Sequence, residues 1–143
     1  MKLSPKEKAK KNLNIGNIAE SIFQTEIIKR GYQISKPLHN NENYDFIVDN
    51  NGKLTKVQVK STTFYDDKAP GGRYMVKTSR GNFYNSSLYD KKFVDIIAVF
   101  IQNEHVWYLI PVENIRTNCI RLYPHKEISN GLYESFRNVW EQF

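Results

Sequence analysis

The stretch Tyr44 to Lys60 reads YDFIVDNNGKLTKVQVK, and it is the informative element of the sequence. Apolar and polar residues alternate on both sides of Asn51-Gly52, a dipeptide typical of a two-residue hairpin turn. If that pair forms the turn, Asp45 faces Gln58 on the partner strand. Lys60 then emerges on the same face as Gln58, because strand side chains alternate. The hairpin therefore predicts a polar face with a carboxylate, an amide and an ammonium, opposite an apolar face made of Tyr44, Phe46, Val48, Val57 and Val59.

The segments around this hairpin predict the fold class. Ser4, Pro5 and Glu7 form a capping-box signature for a first helix, which we expect to end at Gly31. Gly16 interrupts that pattern, so the basic residues 1–14 form either a separate helix or an extension. Strands are predicted over 32–34, 73–78, 94–101, 105–110 and 120–123, the last at a sheet edge, and a closing helix from the spacing of Tyr133, Phe136 and Trp140. This order predicts an α+β fold, sandwich-like, with a mixed β-sheet flanked by helices.

Composition limits the kind of protein. The 143 residues suit a single domain, 1–143, with 21 Lys plus Arg against 15 Asp plus Glu and a net charge of +6. This basic excess favours an anionic partner such as nucleic acid. The lone Cys119 excludes an internal disulfide and a zinc cluster, and it predicts a reducing, cytoplasmic compartment. Since no apolar run reaches the roughly 18 residues that a membrane span needs, we expect no membrane partner.

The polar face of the hairpin has the groups that phosphodiester cleavage requires. Asp45 can bind a hard divalent cation through oxygen, with Mg²⁺ the natural choice and Mn²⁺ a possible substitute. Gln58 can offer a carbonyl oxygen to the same ion or to its waters. Lys60 can steady an attacking water or the charge that develops on the phosphate. An ordinary solvated strand face would carry the same residue types, so this short pattern does not establish a site by itself.

The order of the motifs around the hairpin is more specific. A strand Asp followed by Gln-x-Lys, after a helix that reads Gly16-Asn-Ile-Ala-Glu20 and closes at Gly31-Tyr32, resembles the PD-(D/E)XK nuclease superfamily. Within it the chain is similar to the small branch of group I intron-encoded homing endonucleases, which also use Gln where most relatives use Glu. Further motifs similar to that branch follow in the same order, and the resemblance covers most of residues 16–124: Tyr89 with Val94-Asp-Ile-Ile-Ala-Val99, Tyr108-Leu-Ile-Pro-Val112 and Ile120-Arg-Leu-Tyr-Pro124.

The resemblance implies a restriction-endonuclease-like core and a Mg²⁺-dependent endonuclease acting on DNA. The residues that match the family motif are Glu20, Asp45, Gln58 and Lys60, with Asp45, Gln58 and Glu20 as the metal ligands. Glu26 projects from the middle of the first helix's apolar stripe, but it does not match the motif.

Several roles remain open for such a protein. A homing endonuclease is the first, and a Holliday-junction resolvase or a restriction-type nuclease is the second. A nuclease that acts on RNA is a third. Because Gln58 removes one negative charge from the metal site, a catalytically inactive DNA-binding module of the same fold is a further alternative.

Two basic segments are predicted to contact double-stranded DNA. Lys10 and Lys11, with Lys6 and Lys8, either follow the phosphate backbone or form a solvated helix end. The segment 73–82 places Arg73 and Lys77 on one strand face and brings Arg80 into the following loop. We also expect a homodimer or a homotetramer, because cutting both strands with one small domain requires more than one site.

Overall fold

The computed structural model of the chain describes residues 1–40, 42–81, 85–127 and 130–143. Its described residues contain one long helix, α1 (Pro5–Lys29), and ten strands. The strands are β1 (Gln33–Ser35), β2 (Phe46–Asn50), β3 (Lys53–Thr62), β4 (Tyr65–Asp66), β5 (Arg73–Lys77), β6 (Arg80–Gly81), β7 (Ser86–Ser87), β8 (Ile96–Ile101), β9 (Val106–Pro111) and β10 (Cys119–Leu122). The predicted α+β class is confirmed.

Helix α1 begins at the predicted capping box. The Ser4 amide donates to Glu7 Oε2 at 2.8 Å, and the Glu7 amide donates to Ser4 Oγ at 3.3 Å. The helix then continues through Gly16, so of the two predicted alternatives the basic segment is an extension of α1 and not a separate helix. One interior glycine costs about 1 kcal/mol, which a capped end and a buried second half offset. No helix within the described ranges is long and apolar enough to cross a membrane.

The main sheet has the strand order β1-β2-β3-β8-β9 and is mixed, because β3 and β8 run parallel while the other neighbours are antiparallel. The β2–β3 register pairs Asn50 with Lys53 and Phe46 with Val57, as the sequence predicts. The turn between them has positive φ at Asn51 (52°) and Gly52 (93°), which is the backbone of a type I′ turn. This register places Gln58 and Lys60 on the polar face of the hairpin.

Two hydrophobic cores lie on opposite faces of the main sheet. The helix-side core joins Phe23 of α1 to alternate residues of the sheet such as Val57 and Phe100, and the far-side core joins β8 and β9 to β5 and β10. Tyr44 packs against the far-side core, so its predicted place beside Phe46 is wrong. The reason is that β2 begins only at Phe46, and strand alternation does not extend before it.

The far-side core is covered by a second, three-stranded sheet of order β10-β5-β4, and β6 and β7 form a short separate ribbon. The predicted edge position of β10 is confirmed, although its sheet is this second one.

The predicted closing helix is wrong. The segment forms two short 3-10 turns instead, Glu134–Phe136 and Trp140–Gln142. Tyr133 packs in the far-side core and Trp140 in the helix-side core, and a single helix cannot serve both faces of the sheet. Asn138 turns the chain between them and pairs with Trp107 at the edge of β9, donating to its carbonyl at 2.8 Å and accepting from its amide at 3.1 Å.

Candidate active site

The β2–β3 hairpin brings Asp45 and Gln58 into direct contact. Asp45 Oδ2 accepts a hydrogen bond from Gln58 Nε2 at 2.6 Å and another from the Val59 amide at 2.8 Å. Gln58 Nε2 also donates to the Val59 carbonyl at 3.3 Å. Because both of its partners are acceptors, the NH₂ end of the Gln58 amide must face Asp45. Its carbonyl oxygen is thereby directed away from these two acceptors.

The environment of Asp45 disfavours the charged form of its carboxylate. Burial, and to a smaller extent the negative charge of Glu20, raises its pKa to about 6, although the Val59 amide, Lys60 and Lys36 act in the opposite direction. A buried carboxylate with a raised pKa gains stability when a cation approaches. The burial of Asp45 and the negative charge of Glu20 therefore favour cation binding at Asp45.

Lys60 lies on the same strand face, two residues beyond Gln58. Burial lowers the pKa of its ammonium, the like charge of Arg80 lowers it further, and Asp45 acts in the opposite direction. The ammonium lies 5.2 Å from the ring centroid of Tyr89. The site thus holds a half-buried cation close to a half-buried anion.

Glu20 reaches the site from the middle of α1. It lines a cleft of about 350 Å³ together with Asp45. Its Oε2 lies 3.3 Å from the Lys36 ammonium, which is also 5.0 Å from the ring centroid of Phe46. Glu26, the alternative carboxylate on this helix, pairs instead with Lys29 at 3.4 Å and Arg30 at 2.5 Å. The structure therefore brings Glu20, and not Glu26, next to Asp45.

The oxygen donors in this region suit a hard cation that keeps several waters. Within the described residues, no three His, Cys, Asp or Glu side chains come together as a complete metal cage. Asp45 and Glu20 supply two carboxylates and Gln58 one amide. Mg²⁺ is commonly held by one or two carboxylates, with water and substrate oxygens completing its shell. The residues present fit that pattern.

Two residues beside the site were not predicted as site residues. Lys36 pairs with Glu20, but nothing in its local sequence marks it. Tyr89 belongs to one of the short motifs that carry the resemblance, yet only the fold brings its ring to Lys60. Both approach from outside the β2–β3 hairpin, so hairpin register could not find them.

The residues predicted to bind DNA lie in three places. Arg80 is near the site, with its guanidinium carbon 6.0 Å from the Tyr89 ring centroid, and Lys77 donates to the Gly81 carbonyl in the same region. Arg73 forms an ion pair with Asp66 at 2.9 Å in the second sheet. Lys10 and Lys11 lie on the exposed first half of α1. Asn82, the end of the predicted DNA-facing segment, lies outside the described residues.

A mixed sheet with Asp45 directly before β2, Gln58 and Lys60 on the neighbouring strand β3, and Glu20 of α1 lining a cleft with Asp45 is an arrangement consistent with the restriction-endonuclease-like fold. The chain belongs to the PD-(D/E)XK endonuclease family, whose sequence profile matches residues 10–131. The resemblance identified in the sequence is confirmed.

A solved structure of a bacterial homing endonuclease, I-Ssp6803I, is similar to this chain. The two superimpose with a TM-score of 0.74 at 26% sequence identity, over 90% of this chain and 89% of the other. No curated protein sequence gives a significant match. The structural similarity extends over nearly the whole of both chains.

Proposed function

We propose that this chain is a Mg²⁺-dependent endonuclease that hydrolyses phosphodiester bonds of double-stranded DNA, in the role of a homing endonuclease. The observation that supports this most directly is the contact between Asp45 and Gln58 on the strand face that also carries Lys60. The structural similarity to I-Ssp6803I supports the homing role. Mn²⁺ is expected to replace Mg²⁺.

In this proposal, Asp45, Glu20 and Gln58 hold the metal ion. Bound Mg²⁺ supplies positive charge to the phosphate and lowers the pKa of a coordinated water. Asp45 is held by the Val59 amide at 2.8 Å, so its carboxylate is oriented before substrate arrives. Lys60 orients the attacking water and stabilises the negative charge that builds up on the phosphate oxygens.

Gln58 has a specific effect in this arrangement. Its NH₂ group donates to Asp45, whereas a Glu at this position would place two carboxylates at hydrogen-bond distance without a proton between them. The neutral side chain therefore permits a stable site without metal. The cost is a weaker electrostatic attraction for the cation.

We propose that DNA lies across the basic surface near Arg80 and Lys77, with Lys10 and Lys11 on α1 adding phosphate contacts. Arg73 contributes least in this proposal, because Asp66 already pairs with it. A homodimer or homotetramer of single-domain subunits supplies the second active site needed to cut both strands.

The proposal is tested by incubating plasmid DNA with the purified chain in Mg²⁺, in Mn²⁺ and in EDTA. A matched pair of variants on one helix, Glu20→Gln and Glu26→Gln, separates the carboxylate that lines the cleft with Asp45 from one that pairs with Lys29 and Arg30 outside it. We expect cleavage in either metal, none in EDTA, loss of cleavage in Glu20→Gln and retention in Glu26→Gln.

Two other outcomes would replace the proposal. DNA binding without cleavage in either metal indicates the inactive DNA-binding module, an alternative favoured by the neutral Gln58. Cleavage of RNA but not of DNA indicates an RNA nuclease.

The proposed DNA surface is tested through the salt dependence of binding. Each lost phosphate contact reduces the slope of log K against log salt concentration by about 1. We expect this reduction for Arg80→Ala and not for Arg121→Ala, which alters an exposed arginine on β10 in the second sheet. Equal slopes for the two variants would remove Arg80 from the proposed surface.

A further inference from the structure

The ring of Tyr89 lies beside two cations, Lys60 and Arg80. Its ring centroid lies 5.2 Å from the Lys60 ammonium and 6.0 Å from the Arg80 guanidinium carbon. Both distances are within the range in which the face of an aromatic ring attracts a cation. One ring thus contacts a lysine of the β3 polar face and an arginine of the β6–β7 ribbon.

The backbone explains how these groups meet. Arg80 pairs with Ser87 across the ribbon, and Tyr89 follows two residues later. Immediately beyond it, a turn fixes the chain: the amides of Phe93 and Val94 donate to the Asp90 carbonyl at 2.9 and 3.0 Å. The Tyr89 side chain also packs against the far-side core. The ribbon before Tyr89, the turn after it and the far-side core therefore fix the position of its ring.

Lys60 needs such a partner. Its long side chain is flexible, and among the described residues no hydrogen bond from its ammonium to a protein acceptor is present. Burial disfavours the charge and Arg80 adds a like charge, while the negative charge of Asp45 acts in the opposite direction. An aromatic face stabilises a half-buried ammonium without accepting a conventional hydrogen bond from it. The N–H groups of the ammonium therefore stay available to donate to a substrate.

We propose that Tyr89 is a positioning residue for Lys60, whose ring holds the Lys60 ammonium at the site and brings Arg80 beside it, so that both cations face one phosphate of the substrate. This inference rests on the proposed function and deepens it by adding a residue outside the Glu20, Asp45, Gln58 and Lys60 set. The phenol itself stays neutral at working pH, since burial raises its pKa to about 12.

The contact can be measured without metal or DNA. A ring over an aliphatic chain shifts the protons of that chain upfield by its ring current. In protein labelled with ¹³C and ¹⁵N at lysine, we expect the ε-methylene protons of Lys60 to be shifted upfield. Tyr89→Phe keeps the ring and should keep the shift, whereas Tyr89→Leu should lose it. Lys60 signals are assigned by their absence in Lys60→Arg.

The effect on cleavage is measured with the same variants. We expect Tyr89→Leu to reduce kcat by roughly three- to thirtyfold with little change in KM, which corresponds to loss of one half-buried cation–ring contact. Tyr89→Phe should stay close to wild type. The matched control is Phe93→Leu, which removes a lysine–ring contact of 5.5 Å that involves none of the four site residues.

The outcomes separate this inference from the proposed function. A wild-type protein that cleaves no DNA contradicts the proposed function, while the NMR measurement still reports whether Tyr89 holds Lys60. An unshifted Lys60 signal in wild type, or an equal signal in a folded Tyr89→Leu variant, overturns the inference. So does a Tyr89→Leu variant with wild-type kcat, and so does a Tyr89→Phe variant that loses as much activity as Tyr89→Leu.

Discussion

Burial has opposite energetic effects on the two faces of strand β3. On one face, Val57 and Val59 are buried in the helix-side core, with 0% and 8% of their surface exposed. On the other face, at the alternate positions of the same strand, Gln58 and Lys60 are half-buried beside Asp45. Burial stabilises the first face because apolar surface leaves water. On the second face it raises the pKa of Asp45 and lowers the pKa of Lys60, so the charged forms of both groups are disfavoured.

This difference shows that the polar face of β3 lowers the stability of the fold. A surface that had evolved only for folding would leave both charged groups in water or replace them. Ionisable groups held half-buried in a cleft are typical of functional sites. The comparison therefore predicts that truncation on the apolar face destabilises the protein, whereas neutralising the polar face stabilises it and removes activity.

The largest expected effect on stability comes from the core that supports the apolar face. Phe23 is fully buried and contacts the rings of Phe46, Trp107, Trp140 and Phe143. We expect Phe23→Ala to lower the free energy of unfolding by about 3–5 kcal/mol in urea denaturation. Leu13→Ala, on the exposed half of the same helix, should change it by no more than about 0.5 kcal/mol. Similar losses in the two variants would contradict the assigned core.

The next effect has the opposite sign. Asp45→Asn keeps an oxygen that can accept from Gln58 and the Val59 amide, and it removes the buried charge. The folded-state pKa of about 6 lies above the ordinary 3.8, so ionisation costs stability above pH 6. We expect the variant to be more stable than wild type by about 1–3 kcal/mol at pH 7–8 in EDTA. The gain should fade as the pH falls from 6 to 4, because wild-type Asp45 is then protonated in both states.

The control for this measurement is Asp49→Asn in the same strand β2, where the side chain accepts from the turn amide of Gly52 at 2.7 Å. We expect no comparable gain in stability from this variant. A wild-type protein that is more stable than Asp45→Asn at pH 8 in EDTA would show that Asp45 is not a destabilised anion.

A smaller effect is expected from adding charge to the polar face. Gln58→Glu places a second carboxylate against Asp45, so the metal-free protein should lose about 1 kcal/mol of stability above pH 6. The same change should tighten Ca²⁺ or Mg²⁺ binding in calorimetry and shift cleavage to lower metal concentration. An indifferent metal dependence would place Gln58 outside the metal's coordination shell.

The smallest effect concerns Lys36, which pairs with Glu20 at 3.3 Å. This ammonium competes electrostatically with any cation in the cleft, but it is largely exposed and therefore screened. We expect Lys36→Gln to tighten Ca²⁺ binding by roughly two- to fivefold, while Lys53→Gln, in the exposed hairpin end, leaves it unchanged. Weaker binding in Lys36→Gln would contradict the predicted competition.

Local rules in the sequence predict the hairpin and its register well. Asn51-Gly52 sets a turn that leaves one pairing of β2 with β3, and the alternation of β3 then separates Gln58 and Lys60 from Val57 and Val59. The capping box at Ser4 similarly marks the start of α1. These features depend on residues that are neighbours in sequence, so pattern is sufficient to find them.

Features that depend on distant packing could not be predicted in this way. The last segment has helical spacing, yet Tyr133 and Trp140 are needed in cores on opposite faces of the sheet, and the chain turns at Asn138 instead. Lys36 and Tyr89 reach the site from segments whose positions depend on the whole fold. The choice of Glu20 over Glu26 came from the family motif, and the ion pairs of Glu26 with Lys29 and Arg30 agree with it.

We propose that the polar face of β3 performs the chemistry while the apolar face supports the fold. The most direct test compares plasmid cleavage in Mg²⁺ by Lys60→Met and Val57→Ala, at a temperature where both variants are folded. We predict that Lys60→Met keeps wild-type stability within about 1 kcal/mol and loses roughly a hundredfold or more in cleavage rate. Val57→Ala should lose about 2 kcal/mol of stability and cleave at nearly the wild-type rate. Wild-type cleavage by a folded Lys60→Met variant would contradict this division of roles between the two faces of β3.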